Sequence, residues 1–217
     1  MSVKKLVLSS REEWLKARTN HIGGSDASAC VGLNPYKSNV ELWEEKTGRH
    51  QPEDISHKDY VIYGTKAEEY LRELFSLDFP EYQVIYDDNN MFLNSDYRWM
   101  HASLDGELVD QDGRHGILEI KTTNILQSMQ KEKWNNQIPD NYFCQVLHYL
   151  AVTGYEFAVL KAQLKSEWGG ELKITTKHYF IERKDVEEDI RLLVEAEKRF
   201  WGFVESGRRP DLILPAI

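Results

Sequence analysis

The residues with the clearest chemical potential are Asp105, Glu119 and Lys121, within Ser103-Leu104-Asp105-Gly106 and Leu118-Glu119-Ile120-Lys121. Side chains of an extended strand alternate between faces, so Glu119 and Lys121 share one face while Leu118 and Ile120 share the other. Between the acids, Asp110-Gln111-Asp112-Gly113-Arg114 reads as a hairpin loop. With Gln111-Asp112-Gly113 as a three-residue turn and Gly113 left-handed, pairing is symmetric about Asp112. That register sets Asp105 across the ladder from Glu119. Facing carboxylates repel. A hard divalent cation between them turns that cost into binding, since Mg²⁺ takes oxygen ligands and usually one or two protein carboxylates. Lys121 would then orient or help deprotonate an attacking water, or stabilise negative charge building on a phosphate. Glu-x-Lys alone suits an ordinary half-exposed hairpin equally well, so the rest of the chain has to decide.

The elements around these residues are legible in outline. Ser10-Arg11-Glu12-Glu13 is a capping box that opens a helix through Trp14 and Arg18, ending near Gly23-Gly24. A second helix spans about 25–31 and a third 40–46, closed by Gly32 and Gly48; residues 51–60 read as a loop. Tyr63-Gly64 opens a helix to about Phe75, with Glu68 and Glu69 in its first turns. Strands are expected at 83–86 and 91–93 around an Asp-Asp-Asn-Asn turn, then at 99–109 and 116–123. Residues 123–136 read as an exposed loop or weak helix, followed by a helix over 139–152. Two strands at 157–164 and 172–181 flank Gly169-Gly170, and a last helix spans 185–205. The order implies one α/β domain over residues 1–217: a mixed central β-sheet flanked by helices.

The totals fit a soluble protein: 217 residues, 41% hydrophobic and 29% charged. No run approaches eighteen uninterrupted apolar residues, and the amino terminus lacks the apolar core of a signal peptide. Cys30 and Cys144 form no CxxC pair, which argues against zinc, iron–sulfur clusters and a disulfide framework and makes a reducing cytoplasm the expected compartment. Twenty-seven basic residues against 36 acidic ones give a net charge of −9, so a nucleic-acid partner requires a locally basic groove. Gly64-Thr65-Lys66 lacks the upstream glycine of a phosphate loop, which leaves ATP without a site.

Other side chains carry two readings each. Arg18 and Ser25 bracket a Gly-Gly turn, where Arg grips phosphate in a fork and Ser adds a donor; they equally suit a helix end and an N-cap. Glu68 is either a third acid near a metal or a surface acid complementing a helix start. Gln145 and Tyr149 share a helix face that looks into a site or lies at the edge of the core. Trp134, amid Lys131 and Lys133, is the tryptophan expected to touch DNA bases.

Taken together these blocks resemble a family. Trp14-x3-Arg18-x6-Ser25-Asp26, Gly32-Leu33-Asn34-Pro35-Tyr36-Lys37-Ser38 and Glu41-Leu42-Trp43-x3-Thr47-Gly48 look like the start of the YqaJ-type viral recombinase exonucleases. These are relatives of phage lambda exonuclease in the PD-(D/E)xK nuclease superfamily. Gly64-x3-Glu68, Ser103-Leu104-Asp105-Gly106, Leu118-Glu119-Ile120-Lys121 and Gln145-x3-Tyr149 follow in the family's order. The resemblance implies a restriction-endonuclease-like core. It implies metal ligation by Asp105, Glu119 and the Ile120 carbonyl, with Glu68 in support, and a cofactor of Mg²⁺ or Mn²⁺, two ions per site. Lys121 would act on the attacking water, Gln145 would complete the site, and Arg18, Ser25 and Ser103 would hold a 5′-phosphate.

Similar enzymes digest one strand of linear duplex DNA from its 5′ end. They leave a 3′ overhang for a phage single-strand annealing protein, often as a ring-shaped homotrimer. One departure is plain: Leu104 stands where the superfamily's proline would precede Asp105, removing backbone stiffening but no ligand. Glu68 rather than Glu69 is expected to face inward, from its spacing to Gly64. The alternatives are an endonuclease of the same superfamily and a DNA-end binding scaffold without catalysis.

Overall fold

A computed structural model of the chain describes residues 2–214. Its strands form two sheets. The smaller is antiparallel and consists of β1 (Val3–Val7), β3 (Asn90–Asn94) and β4 (His101–Ala102), in the order β1-β3-β4. The larger has five strands in the order β2-β5-β6-β7-β8: β2 (Gln83–Ile85), β5 (Gly106–Val109), β6 (His115–Ile125), β7 (Phe157–Trp168) and β8 (Glu171–Glu182). Only the central β6–β7 pair is parallel. A parallel pair needs a crossover, and here the chain returns through α5 (Ser128–Glu132) and α6 (Asp140–Thr153). The fold class is therefore the expected mixed α/β.

Each sheet face is covered by helices because β6 and β7 are apolar on both sides. Ile117, Ile125, Ala158, Leu160 and Ala162 pack under α6 and α7 (Glu187–Ser206) in the main core. Leu118, Ile120, Phe157 and Val159 pack under α4 (Asp59–Asp78), against Leu71 and Phe75. The face of β6 that carries Glu119 and Lys121 is thus the α6 face. A third cluster joins α2 (Gly24–Cys30), α3 (Asn39–Lys46) and α7 through Ala29, Leu42, Trp43 and Phe200. Ahead of it, α1 (Arg11–Thr19) starts at Ser10, whose hydroxyl accepts from the Glu13 N–H. Among the described residues no helix is long and apolar enough to cross a membrane, and Cys30 and Cys144 are buried and unbonded.

Four expectations need correction. The strands near 83–86 and 91–93 do not pair with each other: β2 joins β5, while β3 joins β1, a strand the sequence reading did not assign. The stretch 99–109 is not one strand but β4 and β5 separated at Ser103–Asp105. One side chain explains that break. Asn90 accepts from the Leu104 N–H at 2.8 Å and donates to the Leu104 carbonyl at 2.9 Å, occupying both backbone groups a ladder would use. The helix expected from Tyr63 begins at Asp59, so Gly64 lies inside it. Gly64 allows close approach to β6, since a Cβ there would stand 3.2 Å from the Thr122 hydroxyl. Trp134 is only 2% exposed; it stacks on Tyr142 and packs beside Tyr179, leaving no ring face for a base. Lys131 and Lys133 are exposed as expected.

Candidate active site at the break between the sheets

The hairpin forms in the expected register. Gly113 has φ +78°, Gly106 pairs with Leu118, and Val109 pairs with His115. The ladder stops at Gly106, and Asp105 stands one step beyond it, across from Glu119. There Asp105 Oδ2 accepts from the Ile120 N–H at 2.8 Å, so a carboxylate replaces the missing strand. The Asn90 clip ties Leu104 to β3, and this bond ties Asp105 to β6. The clip supplies the stiffness that the absent proline would have given.

Glu119 is 1% exposed. Its Oε1 accepts from Lys121 Nζ at 2.6 Å and from Gln145 Nε2 at 2.7 Å, while Oε2 has no partner although buried. Gln145 also donates to the Tyr149 hydroxyl at 3.0 Å, so both residues of that α6 face look into the site. His148 turns away, bonded to buried Glu197 and to the His101 carbonyl. Glu68 reaches the same place from α4 and contacts Arg72 at 3.5 Å. Glu69 lies one residue on, is exposed and also lines the cleft.

The acids perturb one another. Burial and the neighbouring Asp105 push Glu119 up to about 8, against the pull of Lys121. Burial and Asp105 also push Glu68 up to about 7, against Arg72. Asp105 is raised by burial, although Lys121 and the Ile120 N–H oppose that shift. Burial disfavours the Lys121 cation, but Glu119 and Asp105 more than offset it and hold the amine protonated. Acids whose proton affinity is raised by burial and by one another are the groups a divalent cation would discharge. Among the described residues, no three His, Cys, Asp or Glu side chains stand close enough together to form a metal site unaided. Two carboxylates, a backbone carbonyl and water suffice for Mg²⁺. Asp105, the orphaned Glu119 oxygen and the Ile120 carbonyl fit that donor set.

A cleft of about 700 Å³ joins this centre to a basic end. Its walls include Arg11, Trp14, Arg18, Ser25 and Ser103 together with Glu68, Asp105, Glu119, Ile120, Lys121 and Gln145. Every residue expected at the metal centre or the phosphate site therefore faces one cavity; Lys131, Lys133 and Trp134 do not. Trp14 organises the basic end. Its indole N–H donates to the Ser103 hydroxyl and the Asn90 carbonyl, each at 3.1 Å. Arg18 lies over its ring at 4.3 Å and contacts the Ser25 hydroxyl at 3.5 Å. The sequence reading missed Arg72, which donates to the Asp105 carbonyl at 2.7 Å. Its position four residues after Glu68 on one helix was the available signal.

This architecture is that of an alkaline exonuclease fold. The chain superposes on the alkaline exonuclease LHK-Exo of Laribacter hongkongensis with a TM-score of 0.64 at 18% identity, covering 91% of this chain and 96% of that one. LHK-Exo in complex with dAMP gives a TM-score of 0.58 at 16% identity with the same coverage. Residues 13–156 match the YqaJ-like viral recombinase domain. The chain belongs to that family. It is 35% identical over 204 residues to the uncharacterized protein YqaJ of Bacillus subtilis (strain 168), covering 94% of this chain and 59% of that protein's length.

Proposed function

We propose that this chain is a metal-dependent 5′→3′ exonuclease that digests one strand of linear double-stranded DNA and leaves 3′ overhangs for recombination. The observation that carries the reading is the shared cleft, with a complete acid–acid–lysine centre at one end and an Arg–Ser–Ser cluster at the other. Membership of a viral recombinase family and the exonuclease fold support it. LHK-Exo's capture of dAMP, a mononucleotide, is what a relative with that reaction would do.

Each residue has a part. Arg18, with Ser25 and Ser103, grips the terminal 5′-phosphate, where a planar guanidinium and hydroxyls supply charge-assisted bonds. Asp105, Glu119 and the Ile120 carbonyl would hold Mg²⁺ or Mn²⁺, two ions per site, with Glu68 in support. The bound cations supply Lewis acidity and a nucleophile at neutral pH. Lys121, protonated beside Glu119, donates to the attacking water or to the non-bridging phosphate oxygens as charge develops. Gln145 holds the Glu119 carboxylate through Oε1 and leaves Oε2 unbonded for a cation. The substrates are DNA ends and the downstream partner is a phage single-strand annealing protein, in the cytoplasm of a bacterial host. A ring-shaped homotrimer enclosing DNA would retain it topologically despite a net charge of −9 on each chain.

The test is Mg²⁺-dependent nucleotide release from linear duplex DNA bearing a 5′-phosphate or a 5′-hydroxyl, beside a covalently closed circle. Fast digestion of the phosphorylated end with an intact circle is expected. A circle cut as fast as linear DNA would make the protein an endonuclease. Binding without cutting under every metal would make it a scaffold.

A further inference from the structure

Arg72 has no role in the assignment above, yet it touches two acids of the metal centre and packs on a tyrosine beside them. Its Nη1 donates to the Asp105 carbonyl at 2.7 Å and lies 3.5 Å from Glu68 Oε1. Its guanidinium covers the Tyr86 ring at 3.5 Å. The Arg72 side chain is 12% exposed, so it is enclosed by these neighbours and does not reach into solvent.

The backbone explains why an arginine is needed there. Asp105 sits one residue beyond the last paired residue of β5, so its carbonyl has lost the strand that would have bonded it. The Ile120 N–H fixes the carboxylate and Arg72 fixes the carbonyl, pinning Asp105 from both ends. Glu68 sits one helical turn before Arg72, so the same guanidinium orients a second acid. A lysine would bring the charge but not the flat face against Tyr86 that holds Nη1 in place.

We infer that Arg72 is a positioning residue that sets metal affinity by fixing Asp105 and Glu68, with Tyr86 as the platform that holds the guanidinium in place. This rests on the metal-dependent reading of the same site. Outer-shell partners of metal ligands are typically worth ~10–100-fold in metal affinity. The effect belongs to the free protein, before DNA arrives.

The experiment is Mn²⁺ binding followed by electron paramagnetic resonance without DNA, for the wild type, Arg72→Lys and Tyr86→Leu, each checked for cooperative thermal unfolding. Arg72→Lys is expected to weaken Mn²⁺ binding ~10-fold or more. Tyr86→Leu, which removes the platform and the hydroxyl's bond to Asp88 but no contact with Asp105 or Glu68, shifts it less in the same direction and serves if Arg72→Lys does not fold. At saturating metal, the rate ratio between 5′-phosphate and 5′-hydroxyl ends stays at the wild-type value in both variants. Unchanged Mn²⁺ affinity with weaker DNA binding would overturn the inference and make Arg72 a DNA contact. A wild type that binds no Mn²⁺ would sink the metal-dependent reading itself, which separates the two failures.

Discussion

The two ends of the cleft are built on opposite principles. At the acidic end, carboxylates are forced together and buried: Glu119 is 1% exposed with one oxygen left unpartnered. At the basic end, Arg18 is spread over an indole at 4.3 Å and touches Ser25 at 3.5 Å, a long contact. One end is electrostatically frustrated in the free protein; the other rests in mutual contacts while still facing the cleft. A frustrated site takes a cation for relief, whereas a relaxed site selects by geometry. That difference underlies the proposed division, in which the acids do the chemistry and the arginine the recognition.

Four measurements break or sharpen that division. Lys121→Ala removes the one amine at the acidic end and is expected to lower kcat ~10²–10³-fold. The loss should be equal on phosphorylated and hydroxyl ends, and a variant that digests DNA as robustly as the wild type would remove Lys121 from the mechanism. Arg18→Ala should cost ~10–100-fold, the worth of a charge-assisted hydrogen bond. It should appear only on 5′-phosphorylated ends, so an equal loss on 5′-hydroxyl ends would erase the division.

The third concerns pH. Glu119 and Glu68 hold protons in the folded, metal-free protein up to about 8 and about 7, against an ordinary value of 4.5. The folded state thus binds more protons than the unfolded chain between these limits, so its stability falls as pH rises from about 4.5 to about 8. Thermal unfolding should show that decline, with Mg²⁺ restoring on the order of 5 °C at pH 8.5 and little at pH 5. Glu119→Gln should flatten the slope; a wild-type curve that rises with pH would contradict the frustrated site. The smallest effect is expected from Trp14→Phe. It keeps a ring under Arg18 but loses the indole N–H bonds to Ser103 and Asn90, raising KM for phosphorylated ends by up to ~10-fold. A loss of kcat instead would tie Trp14 to the acidic end.

The hairpin that opposes Asp105 and Glu119 was legible because everything that sets it is local. Gly113 demands the left-handed turn, the turn fixes the register, and the alternation of β6 fixes the faces. Glu68 and Gln145 followed from helix spacing, and their meeting with the hairpin followed from the family's order of blocks rather than from any local rule. What stayed hidden depends on partners distant in sequence. Nothing near Asn90 says that its amide will clip Leu104, fourteen positions away, so the strand over 99–109 looked continuous. Trp134 sits among polar neighbours and looked exposed, but Tyr142 and Tyr179 arrive from α6 and β8 to bury it. The strand β1 was missed because it is short, mostly exposed and defined by pairing with β3.

The Asn90 clip has a metrical consequence. It immobilises Leu104, the residue between Ser103, proposed to grip the 5′-phosphate, and Asp105, proposed to hold the metal. Clamping that middle residue fixes the interval between the two landmarks through the backbone, where side-chain reach alone would leave it loose. On the proposed function, the spacing between the gripped end and the metal centre is therefore held by bonds to the Leu104 backbone.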